Sequence, residues 1–228
     1  ISLRNALGNS LNVTAFKAAE AVTVPSVIAF GKSVGITSLT GSYGPSIAIG
    51  GVDIKPFDLA YAYSALANDG VMAGQTTFAP LAPDERNIDP VGILKVTDAS
   101  GNVLFDINDH RGEWRVIPHQ DAAEMTDILS DPSAVCITFG CGGLSVPGHK
   151  VAVKTGTSQP FDQNGPHKDD IGETLAFGYT SDYVVGVWDG NADNSPISGI
   201  FSTTIAFPTM SDIMLAAYRE QSIEQSKP

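Results

Sequence analysis

Basic residues and cysteines are both scarce in this chain. Its 228 residues hold 13 Lys and Arg against 25 Asp and Glu, a net charge of −12 at pH 7. A surface of that sign repels phosphate, which excludes nucleic acid as a partner and argues against docking on anionic lipid. The two cysteines, Cys136 and Cys141, are too few for a disulfide scaffold and do not form a C-x-x-C pair. They read equally well as a local disulfide or as two unpaired thiols. The four histidines, His110, His119, His149 and His167, are scattered, with no cysteine or carboxylate at ligand spacing. No metal and no cofactor is therefore expected. No apolar run reaches the roughly 18–20 residues of a membrane span. The longest, Ala21 to Phe30, is interrupted by Pro25. There is no internal repeat, no low-complexity tract and no signal peptide, and the first residue is Ile. The chain is expected to be a segment of a longer protein.

What is present suits a packed core. Hydrophobic residues make up 43% and charged residues 17%, too apolar for a disordered chain and long enough for one large domain or two small ones. Residues 1–75 are expected to be mainly helical. Leu3, Leu7, Leu11, Ala15 and Ala18 recur at helical spacing as one stripe. Pro25 opens a second helix that Gly31 or Gly35 can end, and Gly41 to Gly51 reads as loop. Pro56 opens a third, with Phe57, Ala60, Tyr61 and Ser64 on one face and Gly70 closing it.

Residues 76–149 read as strands, a hairpin and a helix. The runs 93–97 and 103–105 flank the turn 98–102. Pro118 starts a helix to Leu129 with Ala122, Met125, Ile128 and Leu129 inward. Residues 150–220 read as sheet strands and a closing helix. The strands are Lys150 to Thr157, Thr174 to Tyr179 and Tyr183 to Trp188, the last two joined by Thr180-Ser181-Asp182, and the helix is Pro208 to Glu220. The long polar loop Ser158 to Gly172 is of a length that is often functional. The predicted class is α+β, an antiparallel sheet flanked by helices.

The chemistry concentrates in Val151-Ala152-Val153-Lys154-Thr155-Gly156-Thr157. A lysine at the end of an apolar strand offers positive charge to a substrate carboxylate, and Thr155 and Thr157 add hydroxyls. Gly156 lets an extended peptide approach the backbone, and the Thr157 N–H can meet a developing oxyanion. Far upstream, Ser10-Leu11-Asn12 pairs a hydroxyl that can relay a proton with an amide that can orient a carbonyl. Taken singly, Lys154 would be a solvated strand lysine and Ser10 and Asn12 a helix-capping pair. Together they match two of the three motifs of serine β-lactamases and penicillin-binding proteins, Ser-x-Asn and Lys-Thr-Gly.

In context the chain resembles the transpeptidase domain of class A penicillin-binding proteins. Arg4-Asn5-Ala6-Leu7-Gly8-Asn9-Ser10-Leu11-Asn12-Val13 looks like the second motif with its flanks. The segments 44–51, 58–63 and 125–131 resemble the connecting regions, and Phe177 to Thr180, Val184 to Trp188 and Gly190 to Asn194 resemble the last two strands. The resemblance implies a β-lactamase/transpeptidase-like fold, with residues 1–228 as the C-terminal part of the domain. It also implies serine acyl transfer on D-alanyl-D-alanine stem peptides of peptidoglycan, binding of β-lactam antibiotics, and an extracytoplasmic location on an anchor outside this chain. By resemblance Ser10 and Asn12 take the relay and orienting roles, and Lys154 supports the relay and the anionic substrate. Thr155 and Thr157 hold the terminal carboxylate, with the Thr157 amide contributing to the oxyanion hole, and Gly156 belongs to the substrate-binding set.

One departure matters most. The family's nucleophile lies in Ser-x-x-Lys, and no lysine here has a serine three positions earlier; the nearest is Thr14-Ala15-Phe16-Lys17. The nucleophile is expected upstream, on a companion N-terminal segment of the same protein that also covers an exposed sheet edge and an apolar cavity. This chain alone is then inactive. Two lesser departures are Thr14, where the family commonly has proline, and the long loop leading to Glu173-Thr174-Leu175-Ala176. The alternatives are a β-lactamase or DD-carboxypeptidase, or a non-catalytic sensor or scaffold module. His149 is expected as an exposed turn residue rather than a base, Trp188 as core, and Glu173 as a structural strand end.

Overall fold

The computed structural model describes residues 1–77, 86, 88–159, 170–193 and 195–225. It is α+β, as predicted. The helices are α1 (Leu3–Gly8), α2 (Asn12–Val22), α3 (Val24–Ser33), α4 (Pro56–Ala67), α5 (His119–Leu129), α6 (Cys136–Phe139) and α7 (Ala206–Gln225). The strands are β1 (Val71–Thr76), β2 (Ile88–Asp89), β3 (Lys95–Thr97), β4 (Val103–Asp106), β5 (Arg111–Arg115), β6 (Ala152–Thr157), β7 (Glu173–Tyr179) and β8 (Val184–Gly190). They form three antiparallel sheets among the described residues, in the orders β2-β1-β5, β3-β4 and β6-β7-β8. No single described helix is long and apolar enough to cross a membrane.

The sheet β6-β7-β8 carries the main core. Central β7 is buried on both faces from Ala176 to Tyr179, so both faces need cover. On one side α7 lays Ala206, Met210 and Met214, all fully buried, against Val151, Val153, Ala176 and Val187. On the other side Tyr63 of α4 lies 5.3 Å from the Phe177 ring and 5.8 Å from Tyr179. There the Tyr179 hydroxyl pairs with Thr126 of α5 at 2.9 Å. A second core joins Val34, Ile36 and Leu39 to Tyr61, Ala62 and Ala65 of α4 and Met72 of β1. Gly70, with φ +83°, turns the chain from α4 into β1; a Cβ there would stand 2.1 Å from the Ile117 carbonyl oxygen, so no other residue fits.

Several sequence expectations are corrected. The stripe from Leu3 to Ala18 is not one helix: the chain breaks at Ser10, Leu3 is exposed, and Ala6, Gly8 and Ala19 are the buried positions. The buried face of α4 is Asp58, Tyr61, Ala62 and Ala65, while Phe57 faces solvent. Asp58 goes inside because it is fully partnered. It accepts the Thr37 N–H (2.8 Å) and hydroxyl (2.6 Å), and Arg86 donates to it at 3.3 Å. Residues 71–75 are strand rather than helix, and the loop 41–51 contains a 3-10 turn at Pro45–Ile49. Met125 faces solvent, and its neighbour Thr126 makes the inward contact. Trp188 is not core; it is 40% exposed, and its indole N–H donates to Glu173 at 2.5 Å.

The hairpin expected around 98–102 is β3-β4, closed by the Asp98 carboxylate accepting from Ser100 and Asn102. The cysteine alternative resolves to a Cys136–Cys141 disulfide. The long loop lies largely outside the described residues, as do His167 and Asp169. The outer edges of β6 and β8 have no strand partner among the described residues. Two cavities have mixed polar and apolar linings. One of about 500 Å³ is lined by Asp69, Asp127 and Lys150 as well as Ala122 and Tyr179. A smaller one beside β8 includes Ser64, Asn68, Ser181 and Asp182.

Candidate active site

Ser10 stands where a helix would ordinarily place glycine. Helix α1 ends with the Ser10 N–H donating to the Leu7 carbonyl (3.0 Å) and the Leu11 N–H to the Ala6 carbonyl (2.9 Å). Those two bonds define a Schellman C-terminus. Its left-handed position is filled by Ser10 with φ +56°, a conformation that costs a non-glycine residue about 1 kcal/mol. The turn throws the Ser10 side chain off the helix axis. Asn12 then opens α2, exposed and without a side-chain partner among the described residues. Neither residue caps the helix: the N-cap is Leu11, which makes no side-chain bond.

Lys154 reaches that turn from β6. Its ammonium donates to the Ser10 hydroxyl at 2.8 Å and to the Thr155 carbonyl at 2.6 Å, although 144 positions of chain separate Lys154 from Ser10. Pairing with β7 sets the direction. Lys154 sits opposite Phe177, and Gly156 opposite Leu175, on the α4 side of the sheet. Burial there pulls the Lys154 amine down from 10.5 to about 8, because taking the charge out of water favours the neutral form.

The two threonines do not share that face. Thr155 lies opposite buried Ala176 and Thr157 opposite Thr174, on the α7 side. The Thr157 hydroxyl donates to Ser202 at 3.1 Å. Their backbones are another matter. The Ser158 N–H donates to Glu173 of β7 at 3.0 Å. In an antiparallel strand alternate residues point their N–H and C=O to opposite edges, so Gly156 and Lys154 also turn theirs to β7. Thr155 and Thr157 turn theirs to the open edge, which is where Lys154 finds the Thr155 carbonyl. The Thr157 N–H thus faces the open edge of β6. A Cβ on Gly156 would lie 3.5 Å from Leu175, ordinary contact, so nothing in the described chain requires glycine there.

The structure thus brings the Ser10 and Lys154 side chains together at one edge of β6, with the Thr155 and Thr157 backbones turned to that edge, their side chains on the α7 side, Gly156 on the α4 side, and Asn12 two residues beyond Ser10. His149, expected exposed, is half-buried ahead of β6 and stacks on Tyr218 with centroids 4.0 Å apart. Sequence reasoning assigned no role to Ser202 or Asn9. Asn9 is 2% exposed and holds the Ser10 turn through bonds to Asn5, Ala134 and Thr138. No spacing rule connects these positions. Among the described residues no cluster of three or more His, Cys, Asp or Glu is arranged to hold a metal ion.

Comparison with known proteins assigns the family and the fold. The chain belongs to the penicillin binding protein transpeptidase domain family, which matches residues 1–206. Penicillin-binding protein 1A/1B of Bacillus subtilis is 29% identical over 204 residues, covering 85% of this chain and 20% of that protein. Penicillin-binding protein 1A of Aquifex aeolicus is 28% identical over 220 residues, covering 96% of this chain and 26% of that protein. The chain therefore spans about a fifth to a quarter of the length of these relatives. The crystal structure of penicillin-binding protein 1A from Haemophilus influenzae superposes with a TM-score of 0.71 at 18% identity, covering 95% of this chain and 34% of that one. That likeness shows the fold.

Proposed function

We propose that this chain supplies the second and third motifs of a class A serine DD-transpeptidase that cross-links peptidoglycan outside the cytoplasm. The nucleophilic serine comes from a companion segment of the same protein. The 2.8 Å contact between the Lys154 ammonium and the Ser10 hydroxyl carries this reading. It joins two distant motifs in the arrangement that proton relay to a leaving nitrogen needs.

In the reaction, the companion serine attacks the carbonyl between the terminal D-alanines of a stem peptide. The Thr157 N–H, turned to the open edge, is the donor available to the oxyanion. The C–N bond breaks, the proton of the attacking serine passes by way of Ser10, held by the Lys154 ammonium, to the departing nitrogen, and D-alanine leaves as a serine ester remains. An amine from a neighbouring strand then attacks the ester, its proton returns by the same route to the serine oxygen as the C–O bond breaks, and the new amide forms. Asn12, exposed and without a side-chain partner among the described residues, orients the peptide amide, and the Lys154 ammonium attracts the terminal carboxylate. β-Lactams take the same route and stop at the ester.

The test is fluorescent penicillin labelling of the full-length protein, followed by the decay of the label. Stable labelling is expected. Rapid loss would favour a β-lactamase or carboxypeptidase, and no labelling would favour the sensor module and refute acyl transfer.

A further inference from the structure

The Ser10 turn is strained and short, and what holds it lies elsewhere in the chain. Asn9 uses every strong hydrogen-bonding group of its side chain. Its amide nitrogen donates to the Asn5 carbonyl (2.8 Å) and the Ala134 carbonyl (2.6 Å), and its amide oxygen accepts the Thr138 N–H (2.8 Å). The Asn9 backbone carbonyl accepts the Thr138 hydroxyl at 3.0 Å. Three of these four bonds come from residues 134–138, and Ser10 is the next residue in the chain. Thr138 sits on α6, a helix of four residues, far below the length at which a helix persists by itself. The Cys136–Cys141 disulfide closes the chain around it. The return is tied by the Gly142 N–H to the Pro132 carbonyl and the Gly143 N–H to the Gly140 carbonyl, each 3.0 Å. Cys141 is exposed and Cys136 half-buried, so the bridge is open to a small reductant.

We infer that the Cys136–Cys141 disulfide, acting through Thr138 and Asn9, is a redox-sensitive positioning device for Ser10, an inference that rests on the transpeptidase reading. A soluble dithiol transfers two electrons and two protons. The S–S bond breaks, two protein thiols form, and the dithiol becomes a disulfide. Helix α6 then loses its closure, the grip of Thr138 on Asn9 loosens, and the Ser10 hydroxyl drifts from Lys154. Residues 154–157 sit on β6, held by pairing with β7, and stay in place. Ligand binding therefore persists while acylation slows, since displacing a reacting group by a fraction of an ångström is enough to lose rate.

The experiment measures fluorescent penicillin acylation by the full-length protein, separating the affinity before acylation from the acylation rate constant. Dithiothreitol is expected to lower the rate constant about tenfold, leave the affinity unchanged, and be reversed by reoxidation. The double variant C136S/C141S should match the reduced protein and ignore dithiothreitol. Thr138→Val, which keeps the N–H and loses the hydroxyl, should also slow acylation, and Thr138→Ser should restore it. Equal rate constants in oxidised and reduced protein would overturn the inference, as would a Thr138→Ser protein as slow as Thr138→Val. Should the double variant fail to fold, reversible reduction of the wild type decides alone. Oxidised wild type that takes no penicillin overturns the transpeptidase reading itself, a result distinguishable from equal rates.

Discussion

The lowered pKa of Lys154 can be tested directly in the full-length protein. With the amine at about 8, about ten ammonium groups stand to each neutral amine at pH 7, and about one to ten at pH 9. The ammonium is the form that donates to Ser10 while remaining attractive to a carboxylate. Penicillin acylation should therefore fall about tenfold between pH 7 and pH 9, with its midpoint near 8. Lys154→Arg keeps a charge that no accessible pH removes, so its profile should lose that limb at a lower absolute rate. Stability carries the opposite sign. A lysine whose folded pKa lies below its unfolded value binds fewer protons folded than unfolded between about 8 and 10.5, so stability rises with pH through that window. The full penalty, about 3 kcal/mol at 1.4 kcal/mol per pH unit, applies below about 8. Lys154→Met removes that penalty and should abolish the pH dependence of stability from about 8 to 10.5. Competitive acetylation resolved by peptide mass spectrometry reads the amine's titration. An alkaline limb above pH 10, or one that persists in Lys154→Arg, would refute the reasoning.

Three further outcomes follow. Ser10→Gly should raise stability by about 1 kcal/mol by relieving the left-handed serine, while acylation falls about a hundredfold or more; calorimetry and penicillin labelling on one preparation check both. Asp58→Ala should destabilise by about 3–5 kcal/mol, because Arg86 and Thr37 lose a buried partner, read as a lower urea midpoint. Met210→Ala should cost about 2–5 kcal/mol by opening a cavity between α7 and the sheet, and a thermal midpoint unchanged from wild type would contradict that packing.

Much of the sheet was legible because strand alternation is a local property. Residues 152–157, 173–179 and 184–190 carry their own periodicity, and Pro56 and Pro118 mark helix starts for a reason internal to proline. The break at Ser10 was not legible. The apolar spacing of Leu3, Leu7 and Leu11 runs through it, and a left-handed serine leaves no trace in periodicity. β1 and β5 escaped because Gly74 and Gln75 dilute one pattern and Arg111, Glu113 and Arg115 the other. The face of α4 was misread because a buried Asp58 is intelligible only with Thr37 and Arg86 beside it. In the site, motif chemistry pointed to Lys154 and Ser10, but it could not separate the faces of Thr155 and Lys154, which pairing with β7 decides. Asn9, Thr138 and Ser202 act across long separations, where local pattern is silent.

The location of the site between two cores has a kinetic consequence. Ser10 rides on α1, whose Leu7 packs on the small cluster of Leu129, Ala152 and Tyr179, and Lys154 rides on a strand anchored by α7. Their contact closes a loop of more than half the chain, the kind of late, non-local event that slows folding. On mild heating it should part before either core melts, so catalytic competence would vanish while circular dichroism still reports an intact molecule.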